Sequence, residues 1–227
     1  RKALLEIDSM PMVVHTYKRS LLSKKLDDIY ICTDSNEIIK IAKKYKCKVI
    51  KTGSNKTGTD RISEASEKIK KKYHLYIDIQ GDEPLVDPNH IDKVIDWHSK
   101  NMNFDIVVPS LKSNNLETPH IVKIVKSKKI ILYFSRSLVP YPFKKKNNNY
   151  LKHLSVISFK PESLKKFKKL SQSPLEKIEG IELMRALENN MTIGTFNLLG
   201  SSFSVDTKDD FLKAVKFMNF DKVRSKY

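Results

Sequence analysis

Short apolar runs alternate with longer segments whose apolar residues recur at three- and four-residue spacing. This constrains the chain more than any other feature, because a β-α-β unit leaves that trace in a sequence. The run Ile29-Tyr30-Ile31-Cys32 ends in Thr33-Asp34-Ser35-Asn36, a turn that can cap a helix over 37–45. A short strand at Val49-Ile50 comes next, then a helix capped by Thr59 or Asp60 and running to Lys72, with Ile62, Ala65 and Ile69 on one face. An apolar strand over 75–79 stops at Gln80-Gly81. Beyond Pro88, a helix over 91–100 carries Val94, Ile95 and the only tryptophan, Trp97, on its inner face, and Ile106-Val107-Val108 reads as another strand. Such alternation predicts a parallel sheet covered on both faces.

The second half has a different texture. Segments 122–125 and 130–134 read as a hairpin-like pair around Ser127-Lys128-Lys129, and 144–149 is a polar lysine-asparagine surface loop. A strand is expected over 151–159, helices over 161–170 and 176–188, a strand over 192–198 and a last helix from Thr207. With no internal repeat and no long linker, 1–227 is expected to form a single α/β domain, with an antiparallel excursion over about 110–160. The chain opens on Arg1 rather than Met, with an amphipathic stretch almost at once, so it is expected to lack an N-terminal piece.

A net charge of +17 raises the question of polyanions. Only six of the 43 basic residues are arginines, however, namely Arg1, Arg19, Arg61, Arg136, Arg185 and Arg224. A base-reading surface favours the planar arginine fork, and these lysines are scattered over many segments, so nucleic acid is not an expected partner. No apolar run approaches the roughly 18 residues that cross a bilayer, so no membrane partner is expected. Cys32 and Cys47 lack metal-ligand spacing and read as buried free thiols of a cytoplasmic protein.

Open α/β sheets bind ligands beyond the carboxyl ends of their strands, which gives strand-end polar residues the most weight. Asp82 comes after the strand 75–79 through Gln80-Gly81; it is either a turn residue capping the next segment or a metal ligand. Asp206 also ends a strand, before Thr207, which with Asp210 suits a helix cap. If the two carboxylates converged, they would offer what Mg2+ prefers, namely few protein oxygens with waters and phosphates completing the octahedron. Thr57-Gly58-Thr59-Asp60-Arg61 fits both a helix cap and a phosphate cradle with a guanidinium beside it. Arg136 could reach a phosphate or carboxylate, and His153 is either a packed strand histidine or a functional one.

In order, these segments match a pattern. The chain resembles the 3-deoxy-manno-octulosonate cytidylyltransferases along essentially its whole length. The resemblance is carried by Ala3-Leu4-Leu5-Glu6-Ile7 through Pro11-Met12-Val13-Val14-His15, Cys32-Thr33-Asp34, Thr57-Gly58-Thr59-Asp60-Arg61 and Gln80-Gly81-Asp82-Glu83-Pro84-Leu85. It continues in Val122-Lys123-Ile124-Val125, Leu132-Tyr133-Phe134-Ser135-Arg136, Lys152-His153-Leu154, Ser173-Pro174-Leu175-Glu176-Lys177-Ile178-Glu179 and Val205-Asp206-Thr207. The resemblance implies a Rossmann-like nucleotidyltransferase (GT-A-like) sheet with a small antiparallel extension that helps build a homodimer. It implies transfer of CMP from CTP to the acid sugar Kdo, with Mg2+ held by Asp82 and Asp206. Thr57, Gly58, Arg61 and Gln80 would then serve the nucleotide, Arg136, His153 and Glu179 the sugar, and Lys2 would be a phosphate ligand. Three positions depart from the pattern: Ser155 replaces a glycine, Ile157 a tyrosine and Leu183 a glutamine. An amino-substituted octulosonate therefore stays open as an alternative substrate; a sialate-like sugar is the other alternative, and the blocks at 80–84 and 173–179 argue against it.

Overall fold

A computed structural model describes residues 2–113, 118–144 and 150–227, so the expected polar loop at 144–149 lies outside the described residues except for Lys144. The chain divides into two compact units, one of Arg1–Lys72, Ile79–Ile95 and Ser202–Tyr227, the other of Tyr73–Asp78 and Asp96–Ser201.

In the first unit, strands Ile31–Thr33 and Val49–Lys51 pair in parallel, Cys32 opposite Ile50. Helices Met12–Ser20 and Asn36–Lys44 belong to the same unit, and Val13, Val14, Tyr17, Ile31, Ala42 and Cys47 form a core with Ile38, Ile41 and Val49 packed against it. Each fully buried aliphatic side chain of this kind contributes about 1.5–3 kcal/mol. Both cysteines are free, but only Cys47 is buried; Cys32 is half-buried.

Caps set the helix starts. Ser35 Oγ accepts from Ile38 N at 3.3 Å, so that helix begins at Asn36. The next begins at Gly58, earlier than expected, because Thr57 has the extended backbone of a cap and accepts from Asp60 N at 3.2 Å. It also ends earlier, at Lys68, where Ile69 turns extended. Thr207 and Asp210 form a reciprocal capping box that starts Lys208–Met218. That helix brings Ala214 and Met218 onto Ile7, Met12 and Val205 in a second apolar cluster.

The second unit is built on a sheet whose strand order, among the described residues, is Asn197–Leu198, Ser110–Lys112, Leu151–His153, Lys123–Ser127, Ile130–Ser135, Ile193–Gly194, Ile106–Val107, Val156–Phe159, Tyr76–Ile79. The antiparallel excursion expected over about 110–160 is present, with Ser110–Lys112, Leu151–His153, Lys123–Ser127 and Ile130–Ser135 paired antiparallel, while Ile106–Val107, expected in a parallel sheet, has one neighbour of each direction. Ile193–Gly194 runs parallel to Ile106–Val107, and Asn197–Leu198 to Ser110–Lys112, whereas the other recorded neighbours in this sheet are antiparallel. The expected hairpin is present, and Lys128 takes a positive φ of 51° at its turn.

Three expected elements are each split. The strand over 151–159 breaks at Leu154-Ser155, where Leu154 N turns to Pro109 O. The helix over 176–188 becomes Pro174–Glu179 and Leu183–Glu188, because Gly180 between them is left-handed, with φ 62°. The strand over 192–198 is two short ones, Ile193–Gly194 and Asn197–Leu198. Trp97 does face inward, stacked between Phe104 (5.5 Å) and Phe196 (5.2 Å). No helix among the described residues is long and apolar enough to cross a membrane.

Candidate active site

After strand Tyr76–Ile79 the chain turns sharply, with Glu83 N bonded to Gln80 O at 3.1 Å. Gly81 lies in this turn close to helix Met12–Ser20: a Cβ there would meet Val13 Cγ2 at 3.4 Å, and Thr16 Oγ1 donates to Gly81 O. The carbonyl of Asp82 accepts from Val205 N at 3.0 Å, which lays segment 202–206 alongside the turn. Along that segment Phe203 and Val205 join the apolar cluster, while the Ser202 and Ser204 hydroxyls both donate to the buried carboxyl of Glu83. Asp206 comes next, in an irregular segment rather than at the end of a strand as expected, the last strand having ended at Leu198.

The two aspartates converge. Lys2 Nζ lies 2.6 Å from Asp82 Oδ2 and 3.1 Å from Asp206 Oδ1. Burial pulls the Lys2 pKa down, but its bonds to Asp82 and Asp206 outweigh that and leave it above the ordinary value. Asp82 is 17% exposed in its side chain, and its Oδ1 is buried with no hydrogen-bond partner. Among the described residues no group of three or more His, Cys, Asp or Glu could hold a metal, so any cation here rests on these two carboxylates.

The Thr57 segment borders the carboxyl ends of the parallel strands. Arg61 Nη1 donates to Thr52 Oγ1 at 2.7 Å and Asp34 Oδ1 at 3.0 Å, tying both strand ends to the helix that starts at Gly58. Glu64 accepts from Gly53 N and Asn55 Nδ2, shaping the loop before Thr57. Bonds from Lys68, Asn55 and Gly53 hold the Glu64 pKa down at about 2. Gln80 is exposed at the mouth of its turn.

In the second unit Arg136 and Glu179 belong to one network. Arg136 donates to the carbonyls of Glu179 (2.6 Å), Pro119 (2.7 Å) and Gly180 (3.1 Å). The Glu179 carboxylate accepts from Ser135 Oγ and Arg136 N, both at 2.9 Å. Lys123, fully buried, donates to the Arg136 carbonyl at 2.6 Å and the Thr118 carbonyl at 2.8 Å. His153 packs edge-to-face on Phe134, and burial lowers its pKa to about 4, so the ring is neutral at neutral pH.

The chain matches the cytidylyltransferase family over residues 1–193. It belongs to that family. Similar proteins include the 3-deoxy-manno-octulosonate cytidylyltransferase of Rickettsia felis, 39% identical over 96% of this chain and 88% of that one. The mitochondrial enzyme of the same name from Arabidopsis thaliana is 35% identical over 96% of this chain and 77% of that one. Among solved structures, a CMP:2-keto-3-deoxy-manno-octonic acid synthetase complexed with CTP superposes with a TM-score of 0.89 at 27% identity, covering 96% of this chain and 92% of that one. The cytidylyltransferase assignment makes this protein a CTP-dependent nucleotidyltransferase on an α/β nucleotidyltransferase fold.

For this cytidylyltransferase the departures at Ile157 and Leu183 fall in the core, each 1% exposed. Sequence reasoning missed Glu83 and Glu64. Nothing in the sequence signals the first, because its serine partners come from a segment more than a hundred residues away. Glu64 has only its four-residue spacing to Lys68, which marks an ordinary helix pair.

Proposed function

We propose that this cytidylyltransferase transfers CMP from CTP to the anomeric hydroxyl of 3-deoxy-D-manno-octulosonate, releasing pyrophosphate, and so supplies CMP-Kdo for lipopolysaccharide synthesis. The observation that carries the reading is one ammonium held between Asp82 and Asp206, in a chain similar along nearly its whole length to enzymes named for this reaction.

A divalent cation fits this pair. The carboxylates already converge on a cation, and Asp82 Oδ1 is an acceptor turned away from solvent with no hydrogen bond of its own. Mg2+ bound there would neutralise phosphate charge and orient the sugar hydroxyl for in-line attack. Lys2, once released from the aspartates, would serve the phosphates as a point charge. Thr57 and Gly58 expose the start of their helix to the nucleotide, Arg61 holds that helix to both strand ends, and Gln80 serves the ribose or sugar. Arg136, His153 and Glu179 serve the acid sugar, Arg136 and Glu179 through the network they hold together and His153 with an uncharged ring.

The protein acts in the cytoplasm as a homodimer. The second unit supports the dimer with apolar side chains left in water, among them Leu132 on strand Ile130–Ser135, Tyr141, Phe143 and Ile178.

Pyrophosphate release is the test. With CTP and Mg2+, Kdo should support turnover, and amino-substituted octulosonate or sialate should support at least tenfold less. Turnover with none of these acids, or equal turnover with UTP, would remove the proposal.

A further inference from the structure

We infer that Glu83 is a positioning residue that sets the separation and orientation of Asp82 and Asp206. This rests on reading those two carboxylates as the cation ligands.

The two aspartates lie far apart in sequence, and one backbone hydrogen bond, Val205 N to Asp82 O at 3.0 Å, links their segments directly. A single hydrogen bond is a pivot: it fixes one distance and leaves rotation about itself free. Glu83, next to Asp82, supplies further points. Its Oε1 accepts from Ser204 Oγ at 3.0 Å and from Ser202 Oγ at 3.4 Å, and its Oε2 lies 3.3 Å from Ser202 Oγ. The serines lie four and two residues before Asp206, so the carboxyl grips the segment that carries it at two places. Phe203 and Val205 anchor the same segment in the apolar cluster, which leaves it little freedom to roll.

Glu83 does not itself offer ligand oxygens. It is 1% exposed, and both its oxygens already face serine hydroxyls. Its part is that of a partner behind the ligands, and losing such partners typically costs 10–100-fold in metal affinity or activity. The spacing of two carboxylates is sensitive to this, because ligand sets must be held within about 0.5 Å of their working geometry.

The test uses Mn2+ binding to the substrate-free protein, monitored by electron paramagnetic resonance, beside kcat, KM and thermal midpoint. The Ser202→Ala/Ser204→Ala double variant leaves the Glu83 charge in place and removes only its grip. It should bind Mn2+ about tenfold more weakly or worse and lose kcat in proportion, with KM for the acid sugar within about twofold of wild type. Glu83→Gln, which keeps the side-chain volume, should behave alike. A purely structural role would lower the thermal midpoint yet leave the Mn2+ affinity of the folded fraction unchanged, and that result overturns the inference. So does weak binding in Glu83→Gln with wild-type binding in the double serine variant, which would assign the effect to charge. Asp82→Asn and Asp206→Asn separate this from the parent reading: Mn2+ binding that both leave intact overturns the cation site itself, and the role of Glu83 with it.

Discussion

Lys2 donates to Asp82 at 2.6 Å, and its ammonium is the cation that lets two converging carboxylates sit together in the absence of another. A divalent ion bound between Asp82 and Asp206 has to displace it.

Replacing Lys2 with Met removes that competitor. Each of these two partly exposed ion pairs is worth up to about 1 kcal/mol, so cation binding should tighten by up to about thirtyfold. At the same time kcat should fall, because the phosphate contact proposed for Lys2 is lost. A Mn2+ titration of Lys2→Met measures the first effect and pyrophosphate release the second. Unchanged or weaker Mn2+ binding would show that the ammonium does not compete.

Arg185 and Glu176 form a buried pair, with Nε to Oε2 at 2.8 Å and Nη2 to Oε1 at 2.6 Å, and the guanidinium lies over the Phe167 ring. Arg185→Met strands a buried carboxylate and should cost about 3–5 kcal/mol in urea unfolding. Arg185→Met combined with Glu176→Leu should recover much of that loss, since two apolar groups leave no unpaired charge.

Gly194 has no room for a side chain. A Cβ there would lie 2.7 Å from Phe104 Cγ and 3.0 Å from Trp97 Cη2, inside the aromatic stack. Gly194→Ala should destabilise the protein by about 1–3 kcal/mol and shift the emission of Trp97, the only tryptophan. Wild-type emission together with a wild-type midpoint would contradict the packing described.

Burial holds the His153 pKa at about 4, against an ordinary 6.5. Between those values the unfolded chain binds a proton that the folded chain refuses. The contribution is therefore fully present above about pH 6.5 and is lost as pH falls toward 4. Burial also lowers His15 and His98, which add loss in the same direction. Urea midpoints at pH 7.5 and 5 should fall less for His153→Phe than for wild type; equal falls would assign the acid sensitivity to other groups.

The sequence made elements legible where one residue's side chain decides the structure. The Ser35 turn, the Thr207–Asp210 box and the hairpin at Lys128 all stand where local chemistry puts them. Pairing direction was legible where the connection declares it, in the crossover pair Ile31–Thr33 and Val49–Lys51 and in the hairpin, but not at Ile106–Val107, whose antiparallel neighbour Val156–Phe159 comes from a distant segment. Breaks within long elements were hidden for a related reason: Gly180 ends a helix through a left-handed backbone that the apolar pattern runs straight across. In the site, Asp82 and Asp206 were each ordinary strand-end residues, and the ordered family blocks named them as a pair. Their physical link, through Glu83, Ser202 and Ser204, needs the fold, because nothing local brings residue 83 to residue 202.

The central claim is that Asp82 and Asp206 together hold the cation that cytidylyl transfer needs. Pyrophosphate release at saturating CTP and Kdo, titrated with Mg2+, tests it most directly. Asp82→Asn and Asp206→Asn, each with wild-type circular dichroism, should lose at least about a hundredfold in kcat and need far more Mg2+ for what remains. Near wild-type turnover and Mg2+ dependence in either folded variant would contradict the claim.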